Sequence, residues 1–233
     1  MNINQKTARI AGILYLTIIA SGIFAEFFVR SSLIVPGDAA ATANNIIASG
    51  SLFRIGIASD TIMIICDVAL ALIFYVLLKP VNSSLSLMAA FFRLTQAAVL
   101  GVNLLMLFFV LQLLNGTAYS TVFGTEQLYA LSMLFLEAHG IGYSIGLVFF
   151  GVHCFILGYL VAKSGYFPRI LGILLMIASL GYLIDSFAKI LMPDYKTYEE
   201  TFTLVVFAPA FIAELSMCLW LLLKGVKMSE TNS

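Results

Sequence analysis

The stretch "LFRIGIASDTIMIICDVALALIFYVLL", Leu52 to Leu78, decides the fold. A helix needs about 20 mainly apolar residues to cross roughly 30 Å of hydrocarbon, and this run exceeds that length. Yet it carries Arg54, Asp60 and Asp67. A charge at the centre of a spanning helix costs about 2.5–3.5 kcal/mol on insertion scales. Such residues therefore turn away from lipid and toward partners on neighbouring helices. Asp60 and Asp67 lie seven residues apart and share one helix face. The stretch reads as one helix of a bundle with a polar interior.

The rest of the chain supplies the neighbours. Apolar residues make up 61% of the 233 positions and charged residues 10%, against about 45–50% and about 25% in soluble domains. Mean hydropathy is +1.04. Six segments are long and apolar enough to span, at about 9–28, 52–78, 86–113, 130–161, 170–190 and 204–223. Lipid leaves no partner for an unpaired backbone group, and the alternation of a membrane barrel is absent, so the spans are helices. The expected class is all-α, a polytopic six-transmembrane-helix bundle forming a single transmembrane domain over 1–233. Lys6 and Arg9 precede the first apolar run as in a signal peptide. That run is longer than a usual h-region and no clear A-x-A site follows, so it is assigned as the first span.

Loop charges orient the bundle. Lys6, Arg9, Lys79, Lys163, Arg169, Lys224 and Lys227 fall on the N-terminal side, and Arg30, Lys189 and Lys196 on the other. Seven against three places both termini in the cytoplasm of a prokaryotic inner membrane. The short connections "PVNSS" (Pro80–Ser84) and "KSGYFPR" (Lys163–Arg169) predict antiparallel neighbours. In the longer first outer loop, Asp38 precedes an alanine-rich run and is expected to N-cap a short helix covering the bundle. The fourth apolar run continues from Thr125 to Val161, about 55 Å if helical, too long for one upright span. It is expected either to lie partly along the interface or to bend near "GIGYSIG" (Gly140–Gly146), where Gly142 and Gly146 allow close helix packing.

Counting about 1.5 Å per residue from the cytoplasmic ends sorts the ionisable residues by height. Arg93, His153, Glu214 and Asp67 fall at about 10, 12, 14 and 16 Å. Glu26 and Asp185 fall at about 22–26 Å, Asp60 at about 27 Å, and His139 and Glu137 at about 33 and 36 Å, with Arg54 at the outer edge. An outer polar cavity is therefore expected from Glu26, Arg54, Asp60, Glu137, His139 and Asp185, and a deep layer from Asp67, Arg93, His153 and Glu214. Asp67 and Arg93 sit on adjacent antiparallel helices about one turn apart in height, which predicts a buried ion pair. Arg93, Gln96, Leu100 and Asn103 make a mostly polar seam on the third span.

Three classes of function fit these residues. Intramembrane Asp, Glu, His and Arg are the usual parts of ion and proton relays, which points to a small-solute or ion-related protein. An accessory, sensory or structural protein, whose buried charges only fix helix packing, is the alternative. A metal-dependent intramembrane hydrolase is the third, since the outer residues include imidazole and carboxylate ligands. Against it, "EAH" (Glu137–His139) puts its two ligands about 200° apart on a helix, and no H-E-x-x-H signature occurs. Haem would need further axial ligands beyond two histidines. No cofactor is expected, and no metal site is assigned. The three cysteines, Cys66, Cys154 and Cys218, lie in apolar runs and read as small buried residues. Lys+Arg and Asp+Glu balance at 12 each, with no basic patch for nucleic acid. Membrane lipid is the expected partner, and a homo-oligomer would enlarge the polar interior.

Two stretches carry a family likeness. "FFGVHCFILGYLVAKSGYFPRILGILLMIASLGYLID" (Phe149–Asp185) resembles the bacterial family known as domain of unknown function 4386, and "DAAATANNIIASGSLFRIGIASDTIM" (Asp38–Met63) is similar to it too. The likeness implies a prokaryotic multi-pass membrane protein and carries no catalytic residue with it.

Overall fold

A computed structural model describes residues 3–115 and 119–226. Lys227, counted above among the N-terminal-side cations, lies outside the described residues. The described chain forms α1 (Ile3–Ile23), a π-helical segment (Phe24–Arg30), α2 (Ser31–Leu33), α3 (Ala39–Ala48), α4 (Gly50–Leu78), α5 (Ser83–Asn115), α6 (Thr125–Lys163), α7 (Arg169–Leu191) and α8 (Tyr195–Leu223). Six helices are long and apolar enough to cross a membrane: 5–33, 50–78, 83–115, 125–163, 169–191 and 195–223. Each contains one of the six expected segments and extends it by up to five residues at an end, except the last, which begins nine residues earlier than expected. The protein is a multi-pass, all-helical membrane protein.

The chain divides into two compact units whose borders fall within α1, α4, α5 and α6. The first comprises 1–17, 65–97 and 144–233, and the second 18–64 and 98–143. The core of the first unit depends on very close helix approach. A Cβ built on Gly158 of α6 would lie 2.6 Å from the Gly172 carbonyl oxygen of α7, so the two backbones touch with nothing between them. Gly12 of α1 likewise faces Leu222 of α8, with a hypothetical Cβ only 2.8 Å from Leu222 Cγ. Tyr15 and Phe74, both fully or nearly buried, meet edge to face with ring centroids 6.2 Å apart. Between α6 and α7, Gly165 takes a positive φ of 67°, which closes the short "KSGYFPR" turn.

The second unit packs Val29, Leu33, Ile46, Phe53, Leu107 and Val110 into one apolar core. Asp38 caps α3 as expected, accepting a hydrogen bond from the Ala41 backbone N–H at 2.8 Å. α3 is fastened to the loop before it. Asn45 Nδ2 donates to the Leu33 carbonyl at 3.1 Å, Thr42 Oγ1 accepts from the Val35 N–H at 2.9 Å, and Ile46 is fully buried. The cover expected over the bundle is thus tied down at both ends of its connecting loop. α6 runs its 39 residues as one α-helix through the glycines of "GIGYSIG", about 58 Å in all.

The π segment was not foreseen. The Ser31 N–H reaches back to the Glu26 carbonyl, the five-residue spacing of a widened turn. The extra residue per turn brings Ala25, Val29 and Arg30 to the buried side together. Val29 then sits against Gly56 of α4, where an added Cβ would come within 2.8 Å of Val29 Cγ1. This corrects the placement of Arg30, treated above as a loop cation. It is 8% exposed and inside the first spanning helix.

Candidate functional site

Each unit holds a buried ionic cluster. In the first unit α5 carries Arg93, which is 1% exposed, and its guanidinium donates to the Asp67 carboxylate on α4. A second guanidinium nitrogen lies 3.1 Å from His153 Nε2 on α6. His153 Nδ1 lies 2.8 Å from the Ala89 carbonyl oxygen. A carbonyl can only accept and a guanidinium can only donate, so Nδ1 carries the hydrogen and Nε2 presents its lone pair. The two neighbours fix one neutral tautomer of His153. Aromatic faces complete the enclosure, with Arg93 Cζ 5.7 Å from the Tyr15 ring centroid and 5.4 Å from that of Phe150. Nearby, the Tyr182 hydroxyl donates to the Glu214 carboxylate, and Tyr182 packs edge-on to Phe150 at 5.3 Å.

Asp185 also belongs to the first unit and has its own partners. It accepts from the Tyr195 hydroxyl at 2.6 Å and pairs with Lys189 at 3.6 Å, one helical turn along α7. Lys189 Nζ lies over the Tyr195 ring, 5.3 Å from its centroid. This corrects its assignment to the outer cavity, because a phenol at the start of α8 takes one carboxylate oxygen and Lys189 the other.

In the second unit Arg30 bridges two carboxylates. Its Nε donates to Glu26 Oε2 at 2.7 Å and its NH1 to Asp60 Oδ2 at 2.5 Å. The two acceptors differ sharply, since the Glu26 side chain is 53% exposed and that of Asp60 only 4%. Asp60 Oδ1 is buried and has no hydrogen-bond partner among the described residues. Asp60 borders a small void of about 10 Å³, lined on its polar side by Asn103, His139 and Tyr143 and otherwise by aliphatic residues. Asn103 is held by α6, its Nδ2 donating to the His139 carbonyl at 2.8 Å. The close approach there requires Gly142, whose missing side chain leaves room for Asn103.

Of the six residues expected around an outer cavity, the void therefore brings together Asp60 and His139, with Glu26 linked through Arg30. Arg54 and Glu137 occupy exposed positions instead. The reason is angular. Arg54 is six residues from Asp60 and Glu137 two from His139, placing them about 240° and about 200° around their helices. Of the deep layer, Asp67, Arg93 and His153 are in one hydrogen-bonded chain, whereas Glu214 is held by Tyr182. Sequence reasoning overlooked Arg30, Tyr143, Tyr182 and Tyr195. The tyrosines were passed over because a phenol carries no charge, and charge was the search criterion. Among the described residues no three His, Cys, Asp or Glu side chains are grouped to hold a metal ion. All three cysteines are buried and free.

No solved structure matches the chain. An uncharacterised protein of Archaeoglobus fulgidus is 32% identical to it over 172 residues, covering 74% of this chain and 85% of the relative. The likeness thus extends beyond bacteria. The family model described as "Domain of unknown function (DUF4386)" matches residues 10–225, nearly the whole membrane-spanning region whose geometry is set out above. The chain belongs to the DUF4386 family.

Proposed function

We propose that the protein handles protons or a small ion within a prokaryotic inner membrane, with the Arg30–Asp60 pair and its adjoining void as the working element. One observation carries this: a carboxylate oxygen of Asp60 is buried without a partner among the described residues, and Asp60 borders a void that Asn103, His139 and Tyr143 also line. Unsatisfied buried acceptors are costly, and a bound water or ion or a functional role is what accounts for one that persists. Void size narrows the cargo. About 10 Å³ is close to the least room a single water needs, which supports a proton or small ion over a larger solute. The π segment that positions Arg30 supports the same assignment, because such widened turns recur at functional sites. The test is purified protein in liposomes loaded with a pH-sensitive dye under an imposed potential. Flux lost in Asp60→Asn supports the proposal, and wild-type vesicles no leakier than empty ones would reject it.

A second reading has its own support. Asp67, Arg93 and His153 pair with one another in a buried setting, with Arg93 Nε left without a hydrogen-bond partner among the described residues, an arrangement that suits charges that only fix helix packing. An accessory, sensory or structural role rests on that cluster and gains if the liposomes stay tight. Cytoplasmic termini are part of the proposal, supported by the cation imbalance. With Arg30 buried in the first span, Lys189 and Lys196 remain of the three cations counted on the side opposite the N-terminus. Lipid is the proposed partner along with a second copy of the chain, and nucleic acid is not.

A further inference from the structure

The void beside Asp60 has a chemistry of its own. The polar residues that line it are Asp60, Asn103, His139 and Tyr143, contributed by α4, α5 and α6. Asp60 and His139 are 3% and 6% exposed, so neither is served by bulk solvent. Asp60 Oδ2 is committed to Arg30, while Oδ1 has no partner among the described residues. Asn103 has spent one amide hydrogen on the His139 backbone carbonyl. What the site lacks is a small donor that can also accept. A water molecule meets that need, since buried waters typically make about three hydrogen bonds and need about 10–15 Å³.

Building on the proposed proton or ion function, we infer that the void is a single-water site that couples the Asp60 carboxylate to the His139 imidazole as a proton-exchange pair. The step balances without any oxidant or reductant. A protonated His139 gives its N–H proton to the water oxygen as a water O–H proton passes to Asp60 Oδ1. The imidazole and the carboxyl end neutral, the water is regenerated, and no electrons change owner. The charged and titratable groups facing this pair within the unit are Arg30 and Glu26 from the first span and Tyr143 from α6. A neutral Asp60 leaves Arg30 with Glu26 as its remaining carboxylate partner. The exchange thereby couples proton arrival to the ion pair on the π segment.

The experiment combines infrared spectroscopy with flux. Full-length protein in lipid nanodiscs is titrated from mildly alkaline to mildly acidic buffer, and the carboxyl stretching band that vanishes in Asp60→Asn is assigned to Asp60. That band is expected to shift in heavy water and to change its titration in His139→Gln. Dye-loaded liposomes containing His139→Gln are expected to lose at least about tenfold in flux. Arg54→Gln, at an exposed position away from the void, serves as the control and retains the wild-type rate. If Asp60→Asn does not fold, Asp60→Glu assigns the band by its displaced frequency, and the His139→Gln comparison and the heavy-water shift then decide. Wild-type flux with an Asp60 band indifferent to His139→Gln overturns the coupling and leaves the proposed function standing. A coupled band without wild-type flux upholds the water-linked pair and removes the transport role. An Asp60 carboxyl band insensitive to both His139→Gln and heavy water overturns the inference outright.

Discussion

The two arginine–aspartate pairs of this protein use the same chemistry and end in opposite conditions. Arg93 is buried against a carboxylate, an imidazole of fixed tautomer and two aromatic faces, its Nε having no hydrogen-bond partner among the described residues. Arg30 is shared between a carboxylate that is half exposed and one that keeps an oxygen free beside a void. The helices that carry them differ as well, regular α-helix for Arg93 and a widened π turn for Arg30. The contrast teaches that ion pairing in a membrane protein does not by itself distinguish scaffold from site. Each pair leaves one buried polar atom without a partner among the described residues, so what distinguishes them is the surroundings, aromatic faces around Arg93 and a void beside Asp60.

If Arg93 is structural, its loss is the most damaging change in the molecule. Arg93→Gln strands the Asp67 carboxylate and is expected to cost about 3–5 kcal/mol, read as failure to accumulate or a large fall in melting temperature in detergent. Asp67→Asn with Arg93→Gln is expected to cost less than the sum of the single changes, and strict additivity in that cycle would separate the two residues energetically. Next comes Gly158→Ala, which pushes a methyl into the Gly172 carbonyl and is expected to destabilise by about 1–3 kcal/mol. An unchanged melting temperature would show that α6 and α7 can part freely. Asp38→Ala removes the cap of α3 and is expected to cost about 1 kcal/mol, detectable as faster proteolysis in the segment between the first two spanning helices. Glu26→Gln stands last. Its side chain is 53% exposed, so its pairing with Arg30 is expected to contribute at most about 1 kcal/mol. A penalty as large as that of Arg93→Gln would erase the difference between the clusters.

Much of this architecture is legible in the sequence because lipid enforces it. Six apolar runs become six spanning helices, and the height and sign of Asp67 and Arg93 identify them as partners. Asp38 announces a helix start because few residue types can satisfy the first free N–H groups. The residues that escaped notice share a cause. Height along a span gives no azimuth, so Arg54 and Glu137 were grouped with neighbours they face away from. Arg30 was assigned to a loop because it stands near the end of an apolar run, and no sequence signal marked the π turn that draws it inward. Tyr182 and Tyr195 hold Glu214 and Asp185 through hydroxyl groups that a search for opposite charges passes over.

The burial of Cys66, Cys154 and Cys218 has a practical corollary. With no thiol at the surface, the natural chain offers a silent background for maleimide tagging. A lone cysteine engineered into the Lys163–Arg169 turn would report, by which face of a sealed vesicle reacts, how the protein is threaded through its membrane.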